Sequence, residues 1–264
     1  MSLSFAAGLD YLKFGGPETA GYVDLGLYTQ VYPASRGATI PADAKGPVYR
    51  SATLPNFSPA YSFGVGLNDN TLNQVLWALW YGGALAIDDL ASMASAAGID
   101  GVALSLDATM PPMLMPGRNG NQVELALGDA FITADVNLAQ AIGVSGADLA
   151  SVKVKLYLSM IQGTRLERVP GSNAIKMAFD SHPEVWVEIT EIDSSGFHAQ
   201  MTDLFTRLMR LVVPNLLSDV FKEIPLPEFN VADFVDISQD SIWSLDSDSI
   251  SRKEDYFRLT GSMK

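Results

Sequence analysis

Side chains suited to catalysis are scarce in this chain. It holds two histidines, His182 and His198, and no cysteine in 264 residues. Side-chain nucleophiles need a base within hydrogen-bond reach and an acid that orients the base. His182 sits in DSHPE, which reads as a turn, and His198 stands at the start of a helical pattern. No G-x-S-x-G elbow accompanies either. The lack of thiols excludes thiolate chemistry, disulfides and Cys-ligated metal, and leaves the redox compartment open. Carboxylates offer a second chemistry. DISQDSIWSLDSDSISRKED brings Asp236, Asp240, Asp246 and Asp248 close in sequence, and hard cations take such oxygen donors. The Gly and Glu of an EF-hand loop are missing, so the segment reads as solvated turns between edge strands. KFGGPETAG lacks the Lys-Ser/Thr end of a P-loop and reads as a turn between strands. The sequence therefore predicts no catalytic residue, no metal and no cofactor.

The clearest spacing belongs to apolar residues. In VGLNDNTLNQVLWALWYGGAL (Val65–Leu85), Asn68 is placed to cap a helix and Asp69 to favour its N-terminus. Leu72, Val75, Leu76, Leu79, Trp80 and Gly83 then follow the i, i+3, i+4, i+7 rule, and Trp77, Ala78 and Tyr81 widen the arc. Gly82–Gly83 ends the helix. Such a stripe serves either as core or as the wall of an apolar pocket. A buried acyl chain of 14–16 carbons gains about 10 kcal/mol at roughly 0.8 kcal/mol per methylene, before association costs. No polar catalytic group is needed for that.

The chain around this helix is acidic, with net charge −13 and 17 Lys and Arg scattered without a run. Nucleic acid is not an expected partner, and charge alone does not hold the chain to an anionic membrane. Hydrophobic residues make up 48% and mean hydropathy is +0.15, enough for a substantial core. The start, MSLSFAAGLDYLKF, lacks the basic and apolar regions of a signal peptide. No uncharged apolar run reaches the roughly 18 residues of a membrane span.

The elements that position the stripe read as follows. YVDLGLYTQVYP (Tyr22–Pro33) predicts a strand, and Pro and Gly make 35–62 a loop. A short helical piece is expected at Asp88–Ala97 and a strand at Gly101–Thr109. Residues Gln122–Leu138 alternate in two phases separated by Gly128–Asp129, which reads as a hairpin. SVKVKLYLSM, AIKMAF and EVWVEITEI read as strands. A long helix is expected over His198–Ile224, kinked at Pro214 and ended by Pro225. Closing strands are expected near Phe234–Ile237, Ser241–Leu245 and Tyr256–Gly261. The order is α+β with a mainly antiparallel sheet, and it lacks the βαβα alternation of a doubly wound fold.

Leu67–Leu85 resembles the helix-one signature of the C-terminal barrel in the bactericidal/permeability-increasing protein family, at Asn68, Asp69, Asn73, Gly83, Ala84 and Leu85. PPMLMPGRNGNQVELALGDAFITADVNL resembles that family's Pro-Pro and paired strands. VVPNLLSDVFKEIPLPEFNVADF resembles its second helix, and DYFRLTGSM its last strand. These matches run in order from about Tyr61 to the C-terminus. The resemblance implies a tubular lipid-binding fold: a long kinked helix and a second helix wrapped by a highly curved, mainly antiparallel sheet. It implies one domain over 1–264, with residues 1–60 supplying strands and loops of that domain, standing alone or as a fragment of a larger two-barrel protein. It further implies a tube for a phospholipid or fatty-acid-like ligand. Leu72, Val75, Leu76, Leu79 and Trp80 would line it from helix one; Leu204, Phe205, Leu208, Val212 and Leu216 would line it from helix two. A second barrel or a homodimer partner, and a secreted, periplasmic or cell-surface location, belong to the same expectation. The alternative is the same fold with a side-chain-filled interior, acting as a structural or interaction module. The acidic charge and the short N-terminal region depart from the two-barrel members, so antibacterial action is not implied.

Overall fold

The structure is a computed structural model describing residues 3–15, 22–46, 63–96, 100–118, 122–137, 151–172, 174–180, 182–193, 198–225, 243–253 and 256–263. Its elements in chain order are β1 (Leu3–Gly15), β2 (Tyr22–Pro33), β3 (Phe63–Asn68), α1 (Asp69–Tyr81), β4 (Ala86–Ile87), α2 (Ala91–Ala96), β5 (Val102–Ala108), β6 (Met113–Pro116), β7 (Val123–Asn137) and β8 (Ser151–Arg168). There follow β9 (Ala174–Phe179), β10 (Glu184–Ile192), α3 (His198–Val220), β11 (Ile224–Pro225), β12 (Trp243–Lys253) and β13 (Tyr256–Met263).

The longest alternations make the longest strands. β7 and β8 pair antiparallel from Asn137 opposite Ser151 to Val123 opposite Thr164, and form the spine of an eight-stranded sheet. β5 and β6 share the other edge of β7, and β10 and β9 share the other edge of β8. Short strands set end to end along a long twisted pair let the sheet curl. All its pairings are antiparallel, so the fold is α+β with a curled antiparallel sheet.

The hairpin expected within Gln122–Leu138 is instead one continuous strand with a β-bulge. Leu127 pairs with Met160 and Ala130 with Leu158, so Gly128 and Asp129 together oppose Ser159. The extra residue moves the inward set from odd to even numbers. A bulge and a tight turn both reverse the phase of alternation, and only the partner strand tells them apart. Asp129 takes φ 45°. Its N–H donates to Ser159 Oγ, which in turn donates to Asp129 Oδ1, each at 3.3 Å. Thr109 Oγ1 donates to the Asp129 carbonyl at 2.5 Å.

Across its middle the inward face is apolar from edge to edge. Leu106, Ile132, Leu156 and Ile189 form one cross-strand row, and Leu104, Ala134, Val154 and Ile192 the next. Against this face lie the helices. α1 packs on β2, β3 and β6, whereas α3 packs on β9, β10 and α2. Side chains of both helices and the sheet join one contiguous core. β12, β13 and β3 form a three-stranded sheet, and β1 pairs with β2 as a separate two-stranded sheet among the described residues.

AIKMAF and EVWVEITEI coincide with β9 and β10. α2 lies inside Asp88–Ala97, with Asp89 Oδ1 accepting from the Ala91 N–H at 2.8 Å. The long helix stops at Val220, short of Ile224, and carries Pro214 inside it. The Phe221 carbonyl accepts from the Met177 N–H at 3.2 Å, and Ile224–Pro225 then pairs with β9. β12 begins inside Ser241–Leu245 and runs on to Lys253. The strand expected at Phe234–Ile237 lies outside the described residues, as do residues 47–62 of the expected loop. β1 precedes the Gly-rich segment read as a turn between strands, whereas β3 was not anticipated: the Gly residues of FGVGLN mask its extended character.

α1 ends in a Schellman turn. Ala84 N–H donates to the Leu79 carbonyl at 3.0 Å and Gly83 N–H to that of Trp80 at 2.8 Å, with Gly83 at φ 85°. The backbone of Gly37 approaches so closely that a Cβ on Gly83 would lie 3.2 Å from Gly37 Cα. Gly171 also has positive φ, but nothing lies within 4 Å of its Cβ position. Gly171→Ala should therefore destabilise by about 1–2 kcal/mol through backbone strain alone. Gly83→Ala should destabilise by more, as measured by urea unfolding.

Candidate apolar site

The residues that flank the α1 stripe are held by specific polar contacts. Asn68 Oδ1 accepts from the Asn70 N–H at 2.8 Å and caps the helix. Asp69, 2% exposed, meets Arg252 of β12 in a bidentate pair at 2.6 and 2.7 Å. The Arg252 guanidinium also lies 4.9 Å from the centre of the Phe257 ring. Asn73 is fully buried and mimics a strand. Its Oδ1 accepts from the Leu114 N–H at 2.7 Å and its Nδ2 donates to the Leu114 carbonyl at 3.3 Å. Trp80 Nε1 donates to the Ala108 carbonyl at 2.6 Å. These bonds anchor α1 to β5, β6 and β12, satisfying groups whose burial unpaired would be costly.

Leu72, Val75, Leu76 and Trp80 turn into the core and are buried, and Leu79 is half-buried. On another side, Trp77 and Tyr81 stack with ring centres 4.9 Å apart. A Cβ on Gly46 would meet the Trp77 ring at 2.9 Å, and the Tyr81 hydroxyl donates to the Ala42 carbonyl at 3.0 Å. Loop 34–46 thus covers the side of α1 that the sheet does not. On α3, Phe205, Leu208, Val212 and Leu216 are buried and Leu204 is half-buried. The ten candidate residues therefore form two groups, one under each helix, within one continuous core.

Val187, Ile189 and Ile192 of β10 point inward yet are only half-buried, and Leu204 of α3, the helix that packs on β10, is half-buried as well. Sequence shows their alternation but not their partial exposure, which goes with β10 being an edge strand among the described residues. Gln162 and Thr164 are the buried polar residues on the inward face of β8. Gln162 Nε2 donates to the Asp180 carbonyl, and its Oε1 is buried without a donor among the described residues. Neither polar residue was anticipated.

Catalytic and metal candidates are dispersed. His182 is exposed, and the side chain of His198 lies outside the description. Asp236 and Asp240 fall outside the described residues, while Asp246 and Asp248 lie along β12. Among the described residues no three His, Asp or Glu side chains gather as a metal site. No described helix is long and apolar enough to cross a membrane.

No family model matches this chain, and no curated protein matches it. Among solved structures it is similar to a crystal structure of lipopolysaccharide binding protein, with 13% identity and a TM-score of 0.29. The similarity covers 92% of this chain and 50% of that one, so the chain spans about half that protein's length. A superposition this loose carries no inference by itself.

Removing Asp69 takes the carboxylate partner from the largely covered Arg252 guanidinium, whose side chain is 13% exposed. Asp69→Ala should destabilise by about 3–5 kcal/mol, and the double variant Asp69→Leu/Arg252→Met should recover much of that loss. Chemical denaturation of the three proteins checks this.

Proposed function

We propose that this chain is a non-catalytic binder of a long apolar ligand, a phospholipid or a fatty-acid-like molecule, held between the inward face of the curled sheet and the helices. One observation carries the reading: β10 is an edge strand among the described residues, and its inward Val187, Ile189 and Ile192 are only half-buried, as is Leu204 of the α3 helix that packs on it. Burial of methylene groups there needs no catalytic side chain. Deeper residues, from Phe205, Leu208, Val212 and Leu216 on α3 to Leu72, Val75, Leu76, Leu79 and Trp80 on α1, would accommodate the chain by rotamer shifts. A bend at Pro214 would let α3 follow the curl. The ordered resemblance to the bactericidal/permeability-increasing protein family supports the same reading. Membership of the tubular lipid-binding superfamily, one domain over 1–264, a second barrel or a homodimer, and a secreted, periplasmic or surface location belong with it.

A second reading has its own support. Leu72, Leu76, Phe205 and Leu208 are at most 1% exposed, so protein atoms already surround them. The interior would then be a filled core and the domain a structural or interaction module.

Native mass spectrometry followed by organic extraction separates the two. The ligand reading expects a co-purified lipid and saturable uptake of a fluorescent fatty acid. Leu204→Trp and Val187→Trp should each lower that uptake about tenfold while leaving the unfolding temperature nearly unchanged, since both positions are half-open. No extractable lipid and no uptake would leave the filled core standing.

A further inference from the structure

The outward face of the curled sheet has two compositions. Toward one end of β8 it is charged and ion-paired: Lys155 meets Glu191 at 2.5 Å, and at the other end Glu167 lies between Arg165 and Lys176 at 2.7 and 3.2 Å. Between these ends, around the Gly128–Asp129 bulge, the same face is apolar. Met113, Ala126 and Ile161 form one outward row that ends at Glu184. Four residues along β8, Phe131 and Tyr157 form another between Asp107 and Glu188, with ring centres 5.5 Å apart. Trp186, opposite Ser159, lies between these rows. Met110 reaches over the bulge, where a Cβ on Gly128 would lie 2.7 Å from its terminal methyl. Trp186 is 52%, Met110 46% and Tyr157 37% exposed. Four strands at about 4.8 Å spacing and three rows at about 6.8 Å give a field roughly 14 Å on a side.

Exposed Trp, Tyr and Met grouped on one sheet face are the side chains enriched where protein partners dock. The bulge beneath them is built and not slack. A non-glycine residue is held at positive φ by Thr109 and Ser159, and bulges of this kind re-aim side chains at functional surfaces. The rim decides the partner. Asp107, Glu184 and Glu188 stand at the ends of its rows, and Asp129 lies within it at the bulge. Of the nearby cations, Lys155 is already paired with Glu191, and Arg118 with Glu124 at 2.7 Å and Glu184 at 3.7 Å. A second copy of this acidic chain would bring like charges together, and an anionic bilayer would do the same.

We propose that this bulge-centred patch is a docking surface for a protein segment that is apolar at its centre and lined with Lys or Arg. The inference does not rest on the interior ligand. Trp186 and Tyr157 act as anchors, and Asp107, Asp129 and Glu188 set orientation and the rate of encounter.

The probes are an amphipathic Leu/Lys helical peptide, its Leu/Glu counterpart, and neutral phosphatidylcholine vesicles, each titrated against the full chain. The expected result is saturable, salt-sensitive binding of the Leu/Lys peptide alone. Trp186→Ala should weaken it at least tenfold. Asp107→Asn with Glu188→Gln should weaken it severalfold and flatten its salt dependence. Circular dichroism and unfolding confirm that each variant keeps its fold; should Trp186→Ala not, Tyr157→Ser takes its place. Equal binding of both peptides, unchanged binding by the folded variants, or binding of vesicles in place of the Leu/Lys peptide would overturn the proposal. Fatty-acid uptake is expected to be the same in these variants.

Discussion

The inward face of the β7–β8 pair sets the terms for the rest of the molecule. Fifteen and eighteen residues long, these strands present an almost unbroken apolar surface on one side. Water cannot be left against a surface of that length, so every other element is arranged to cover or extend it. β5, β6, β9 and β10 widen it, the curl folds it inward, and α1 and α3 lie on it at different places. The half-covered zone at β10 is where this covering stops short.

Covering by helices creates a polar problem, because α1 is buried along much of its length. Its solution is local at each point. Asn73 supplies both halves of a strand's hydrogen bonding to Leu114, Trp80 finds a carbonyl, and Asp69 is paired with Arg252 across 183 positions of sequence. The side of α1 away from the sheet is closed by β2 and the loop that crosses Trp77 and Tyr81. That arrangement accounts for a helix apolar around most of its circumference without calling on a ligand at α1 itself. It moves the weight of the ligand reading toward α3 and β10.

Much of this was legible in the sequence, and the unread parts share a cause. AIKMAF and EVWVEITEI were visible because one wet face and one dry face impose a period of two. Leu72, Leu76, Phe205 and Leu208 were visible as inward residues because helical spacing marks a face. Period alone could not say whether that face meets side chains or acyl carbons. The bulge at Gly128–Asp129 was visible as a phase reversal, yet its meaning depended on β8. The resemblance to the bactericidal/permeability-increasing protein family singled out Asn68, Asp69, Asn73 and Gly83. The cap at Asn68 and the turn at Gly83 are local and were read directly, whereas the ion pair of Asp69 and the strand mimicry of Asn73 depend on Arg252 and Leu114, far away in the chain. The outward patch of Met110, Phe131, Tyr157 and Trp186 comes from three separate strands and the β5–β6 connection, and exists only once the register is known.

Photo-crosslinking with a diazirine-bearing fatty acid addresses the central claim most directly, because it reports where an apolar chain lies as well as whether it binds. Peptide mapping of the adducts should place them on inward residues of β10 and α3, around Val187, Ile189, Ile192 and Leu204, in competition with unlabelled fatty acid. Adducts confined to the outward face, or none that unlabelled fatty acid displaces, would contradict the account.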